Sequence, residues 1–114
     1  MSRLAVNLSM IFTEVPLIER FALAHAQGFQ NVEIQFPYEL SIPDIQAQLQ
    51  QYDLALCLIN LPAGDLMQGG NGLAGVPGQE TAFYHALELA ISYATALNVP
   101  RVNILAGKQP LDAD

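Results

Sequence analysis

Cations are scarce in this sequence: four of its 114 residues are lysine or arginine, against eleven aspartates and glutamates, for a formal charge of −7. Nucleic-acid binding draws on a basic face that neutralises phosphates. Arg3, Arg20, Arg101 and Lys108 are too few to build one, so no nucleic-acid partner is expected. Cysteine is scarcer still. The single Cys57 excludes an internal disulfide framework, and its place in the apolar run Leu54 to Leu61 reads as a small buried hydrophobe. No apolar stretch approaches the roughly 20 residues that cross a bilayer, and the first residues show no basic region followed by a long apolar core, with Glu14 and Glu19 interrupting early. No membrane association is expected, and the cytoplasm is the expected location. Tryptophan is absent and histidine occurs twice. His25 falls near the end of a helix and His85 off an apolar stripe, and neither has metal-ligand spacing. No H-E-x-x-H, C-x-x-C or G-x-S-x-G occurs, so the chain by itself offers no catalytic set.

What is present is a folding sequence. Hydrophobic residues make up 52% and charged residues 13%, which suits one domain with a modest core. Arg3 to Leu8 alternates as a short strand. Thr13 and Pro16 open a helix in which Leu17, Ile18, Phe21, Ala22 and His25 recur at helical spacing, and Gly28 supplies a left-handed stop. Asn31 to Phe36 is a second strand. Ser41 followed by Asp44 caps a second helix, with Pro43 in its first turn and Ile42, Ile45, Leu49 and Tyr52 as its buried stripe. Leu54 to Leu61 is nearly all apolar, as for a strand covered on both faces. A glycine-rich loop runs from Pro62 to Gly78. A third helix, from about Gln79 to Leu97, carries Phe83, Leu87, Ala90, Ile91, Ala94 and Leu97 on one face and ends at Asn98 and Pro100. Val102 to Leu105 is a fourth strand.

The order βαβαβαβ predicts a parallel sheet with right-handed crossovers, either an open doubly wound sheet or part of a barrel. Both place ligands at the carboxyl ends of strands. That rule selects Asn7 after the first strand, Glu33 and Gln35 on the second, Asn60 on the third, and Gly107 with Lys108 after the fourth. Polar side chains inside apolar strands cost about 1–3 kcal/mol unless they find partners, so these either satisfy neighbouring backbone or face a ligand. Gly70, Gly72 and Gly75 match G-x-G-x-x-G, but that pattern binds dinucleotides only where it joins a strand directly to a helix. Here eight residues separate it from Leu61. A loop of this length suits a moving active-site cover.

The segments Asn7-Leu8-Ser9-Met10-Ile11-Phe12-Thr13-Glu14-Val15-Pro16, Val32-Glu33-Ile34-Gln35-Phe36-Pro37-Tyr38 and Asn60-Leu61-Pro62-Ala63-Gly64-Asp65 resemble the opening of the hydroxypyruvate isomerases. That group is close to the 2-oxo-tetronate isomerases, within the xylose-isomerase-like barrels. The resemblance implies an α/β fold: the N-terminal half of a TIM (β/α)8 barrel, about four parallel strands with outer helices. Residues 1–114 then form one incomplete barrel domain, truncated after the fourth strand. It implies conversion of hydroxypyruvate to 2-hydroxy-3-oxopropanoate through an enediolate in the intact protein, with this fragment inactive. A 2-oxo-tetronate isomerase, or another sugar isomerase or epimerase of the group, is the alternative. A carboxylate base and a divalent cation, magnesium or manganese, serve such a step. The family's acidic ligands and catalytic glutamates come from later strands, so no metal is expected here and no catalytic residue or metal ligand is assigned. Asn7, Glu33 and Asn60 carry over as substrate-pocket residues, with Phe12, Phe36 and Tyr38 as its walls; the partner is a small hydroxy-oxo acid or sugar. Two other classes remain, a non-catalytic half-barrel interaction module and an open-sheet ligand-binding domain. A half barrel would also bare an apolar inner face of Ala5, Leu56, Leu58 and Leu105 together with two sheet edges. Self-association, or pairing with a C-terminal half barrel, is therefore expected.

Overall fold

A computed structural model describes residues 4–62, 78 and 80–104. Among the described residues, four strands alternate with three helices: β1 (Ala5–Asn7), α1 (Leu17–Ala26), β2 (Asn31–Ile34), α2 (Ile42–Gln51), β3 (Ala55–Asn60), α3 (Glu80–Leu97) and β4 (Arg101–Asn103), with a 3-10 turn at Pro37–Glu39 between β2 and α2. The predicted loop from Pro62 to Gly78, including its glycine motif, lies almost wholly outside the described residues, as do Leu105, Gly107 and Lys108.

All strand pairs are parallel and the spatial order is β1-β2-β3-β4. A doubly wound sheet would place β3 or β4 on the opposite side of β1 from β2; this sheet does not, which removes the open-sheet alternative. Its helices lie on one side. Val6, Val32, Ile34, Leu56 and Ile59 share one core with Leu17, Phe21 and Ala24 of α1, Ile45 and Leu49 of α2, and Tyr93 and Leu97 of α3. Phe21, fully enclosed, illustrates the scale: burying such a side chain contributes about 1.5–3 kcal/mol.

Each helix returns to the sheet through the same turn. Backbone N–H groups of Phe29, Leu54 and Val99 bond the carbonyls of Ala24, Leu49 and Ala94, five residues back, as a left-handed residue after a helix allows. That residue is Gly28, Asp53 or Asn98, with φ of 89°, 52° and 56°. Ser41 caps α2 as its spacing predicts, its Oγ accepting from the Asp44 N–H at 3.2 Å.

Several expectations are corrected. β3 is covered on one face only: Leu56 and Ile59 are buried under helices, whereas Cys57 and Leu58 are half-buried and Ala55 is exposed. A bulge produces this pattern. Val32 pairs with Leu56 and Glu33 with Leu58, leaving Cys57 unpaired, so the side-chain alternation skips one residue. Cys57 is therefore no sealed hydrophobe, and Leu56 belongs to the helix side rather than the inner face. On α3 the buried residues are Ala86, Ala90, Tyr93 and Leu97, and Ile91 is exposed, because the helix rolls its smallest residues onto the sheet. On α1, His25 is exposed and Ala24 buried, which shifts the stripe by one residue.

Candidate functional site

The face of the sheet turned away from the helices carries most of the polar strand residues. Asn7, Glu33, Leu58 and Arg101 stand in register across all four strands. Two residues further toward the carboxyl ends, Asn60 pairs with Asn103, and the Asn60 N–H bonds the Gln35 carbonyl at 2.8 Å. Period-two alternation explains the segregation: Val6, Val32, Ile34, Ile59 and Val102 take the helix side, which leaves their neighbours on the other. The inner face is thus more polar than the apolar patch expected from sequence.

Glu33, Cys57, Leu58, Pro100 and Arg101 line one open hollow on this face. Glu33 is the one carboxylate on a described strand. Burial pushes the Cys57 thiol up from its ordinary pKa, the negative charge of Glu33 adds to the rise, and Arg101 opposes it. The thiol donates to the Val32 carbonyl at 3.3 Å. Among the described residues no group of three or more His, Cys, Asp or Glu could hold a metal ion. A divalent cation does not fit these residues alone, so no step is routed through one.

The loop after β1 is tightly held. The Asn7 carboxamide oxygen accepts from the Ser9 N–H at 2.9 Å, an Asx turn, so Asn7 shapes this loop. Ser9 Oγ in turn accepts from the Gln35 N–H at 2.8 Å, tying the loop to β2. Arg20 closes it from α1, with Nη1 donating to the Leu8 carbonyl at 2.7 Å and Nε to the Val15 carbonyl at 2.9 Å. Within the loop Phe12 takes φ of 60° and packs against the core. A bulky residue in that region is strained, and the contacts on either side hold it there. Met10 and Ile11 are left exposed beside it.

The three predicted walls separate. Phe12 packs from the β1 loop. Phe36 lines a different hollow with Ser9, Leu17, Arg20, Gln35 and Glu39. Tyr38 braces the end of β3: its hydroxyl donates to the Asn60 carbonyl, and its ring meets Tyr93 edge-on at 5.0 Å. Burial, then the neighbouring Tyr93, pushes the Tyr38 phenol well above the ordinary tyrosine range. Tyr93 itself donates to the Leu40 carbonyl at 2.7 Å. Asn60 is the buried polar residue of the described chain, at 6% exposure. The expected strand from Val102 to Leu105 leaves out Arg101, where β4 begins, and so hides the Arg-Val-Asn alternation that puts Arg101 and Asn103 on one face. Sequence patterning also misses Arg20, whose bonds reach across five and twelve residues.

No family model matches the sequence. A 2-oxo-tetronate isomerase of Cupriavidus necator is 40% identical over 114 residues, all of this chain and 44% of that protein. The hydroxypyruvate isomerase of Escherichia coli is 42% identical over 110 residues, 96% of this chain and 43% of that protein. Among solved structures, a protein described as an AP endonuclease of family 2 from Brucella melitensis aligns with a TM-score of 0.86 at 40% identity, covering 94% of this chain and 42% of that one. The chain therefore spans less than half the length of the relatives it matches. Over that span, it is homologous to the hydroxypyruvate and 2-oxo-tetronate isomerases and matches the N-terminal half of a xylose-isomerase-like barrel.

Proposed function

We propose that residues 1–114 are one incomplete barrel domain that supplies half of the site of an intact hydroxypyruvate isomerase, interconverting hydroxypyruvate and 2-hydroxy-3-oxopropanoate in carbohydrate metabolism. The observation that carries this reading is the polar face formed by Asn7, Glu33, Arg101, Asn60 and Asn103 on a parallel sheet whose relatives are named isomerases. Moving a proton between adjacent carbons develops negative charge on the substrate oxygens. Carboxamides and a guanidinium bind such oxygens, and Glu33 lies beside them as an acceptor. Asn60 and Glu33 serve as pocket residues; Asn7 and Tyr38 act by holding the loops around the pocket, and Phe12 and Phe36 shape its rim. Magnesium or manganese would take its ligands from beyond the described residues. The 2-oxo-tetronate reading uses the same face with a longer substrate, and the relatives named for that activity favour it equally. Endonuclease action is disfavoured by the shortage of basic residues.

We further propose that the chain pairs with a complementary half barrel. β1 and β4 are the outer strands of the described sheet, and Tyr84, Leu89 and Ile91 of α3 are exposed. The polar inner face weakens the case for pairing two copies face to face, so edge closure is favoured. No described helix is long and apolar enough to cross a membrane, and a free Cys57 suits a cytoplasmic setting. The test is a chimera in which this chain replaces the segment it matches in the Escherichia coli hydroxypyruvate isomerase. The chimera is expected to turn over hydroxypyruvate, while residues 1–114 alone are not. A folded but inactive chimera would contradict the reading.

A further inference from the structure

Asn60 and Asn103 stand directly opposite each other on adjacent parallel strands, at the carboxyl end of the sheet. Asn60 follows Ile59, which is packed under the helices, so its side chain turns to the inner face. It is 6% exposed, yet its carboxamide makes no hydrogen bond to another described residue, and none of its atoms is sealed without a partner. Tyr38 and the sheet occupy its backbone groups instead: the carbonyl accepts from Tyr38 and the N–H bonds Gln35. Asn103 is exposed beside it, with its carbonyl accepting from the Leu61 N–H at 2.8 Å. Two carboxamides are therefore held on adjacent strands, with both backbone groups of Asn60 and the carbonyl of Asn103 engaged and with their side chains uncommitted among the described residues. Because no polar atom of either side chain is sealed, both carboxamides stay open to a ligand, which can take up donor and acceptor together.

We infer that Asn60 and Asn103 form a paired-carboxamide subsite for the two oxygens of a vicinal oxo-hydroxy group. The inference rests on the isomerase reading above and adds Asn103 to it. Neighbouring strands lie about 4.8 Å apart, close enough for two side chains to converge on oxygens of adjacent carbons. An amide N–H donates to the oxo oxygen and an amide carbonyl accepts from the hydroxyl, so the pair suits both members of an isomerising substrate. Each oxygen exchanges its role as the proton moves, and a carboxamide, which both donates and accepts, serves either state without ionising. A ligand lacking the hydroxyl leaves one amide unpaired, and that loss sets the discrimination.

The experiment is a titration of the full 114-residue chain with hydroxypyruvate and with pyruvate, which lacks the hydroxyl, at millimolar concentrations. It follows the side-chain amide and backbone signals by NMR in the wild type, Asn103→Leu and Asn60→Leu. The expected result is that hydroxypyruvate shifts both side-chain amides, that pyruvate binds about fivefold to tenfold more weakly, and that Asn103→Leu abolishes this preference with the backbone spectrum otherwise retained. Asn103 is exposed on a strand end, so its variant keeps the test valid should Asn60→Leu fail to fold. Hydroxypyruvate shifts confined to Glu33, Arg101 and the β1 loop would overturn the subsite while leaving the isomerase reading intact. An absence of shifts anywhere on the inner face would likewise overturn the subsite, and the isomerase reading is then decided separately by the chimera.

Discussion

Replacing Arg20 with methionine removes the clamp on the loop between β1 and α1 while keeping most of the stem that packs on α1. Two hydrogen bonds are lost, to the carbonyls of Leu8 and Val15. A bond to a charged group contributes about 1.5–3 kcal/mol, which sets an upper bound near 6 kcal/mol for the two. The side chain is only half-buried, so both carbonyls regain water, and the net cost falls to about 2 kcal/mol. With a urea dependence of about 1–3 kcal/mol per molar for a small domain, the midpoint moves down by roughly 1 M. Amide hydrogen exchange locates the damage. Ser9, Met10, Ile11 and Val15 are expected to exchange faster, because the strained Phe12 conformation loses its support, while the amides of α2 and α3 keep their protection relative to global unfolding. Faster exchange spread evenly over all three helices, or an unchanged midpoint, would show that Arg20 does not hold this loop.

Three further outcomes follow from named contacts. Tyr38 has a folded pKa raised by burial, so its contribution is fully present below the unfolded value of about 10 and is lost as pH rises beyond it; Tyr38→Phe is expected to flatten the alkaline fall in melting temperature, and an unchanged slope would refute this. Gly28→Ala meets no atom within 4 Å, so its cost of roughly 0.5–1 kcal/mol in chemical denaturation is the left-handed backbone strain less the gain from a stiffer unfolded chain. Cys57, with its pKa raised by burial and by Glu33, should alkylate more slowly than a free thiol near neutral pH, and Glu33→Gln should speed the reaction.

The sequence carried the strand and helix order because its signals are local: Ser41 and Asp44 at one cap, Gly28 at one stop, Val32 and Ile34 alternating with Glu33. The barrel-like strand order was legible through three loop segments whose resemblance to isomerases spans the chain. Local signals failed where a tertiary feature intervened. The bulge at Cys57 changes the facing of β3 without a mark in the run Leu54 to Leu61, and so placed Leu56 on the wrong side. Ile91 matched helical spacing but yielded to Ala86 and Ala90, which let α3 approach the sheet more closely. Of the residues expected to line a pocket, Glu33 and Asn60 lie on one face of the sheet with Arg101 and Asn103. The roles of Asn7 and Tyr38 became visible only as hydrogen bonds to Ser9 and to the Asn60 carbonyl.

The central claim is that the inner face of this sheet works on substrate and the helical face does not. The most direct measurement compares Glu33→Gln with Glu19→Gln, an exposed change on α1, in the chimera with the Escherichia coli isomerase, recording kcat/KM for hydroxypyruvate and melting temperature for each. Glu33→Gln is expected to lower kcat/KM by at least about tenfold, some 1.4 kcal/mol of transition-state stabilisation, with the melting temperature nearly unchanged, and Glu19→Gln to alter neither. Equal and small effects of the two substitutions, or a loss of rate at Glu33 matched by a loss of folding, would contradict the account.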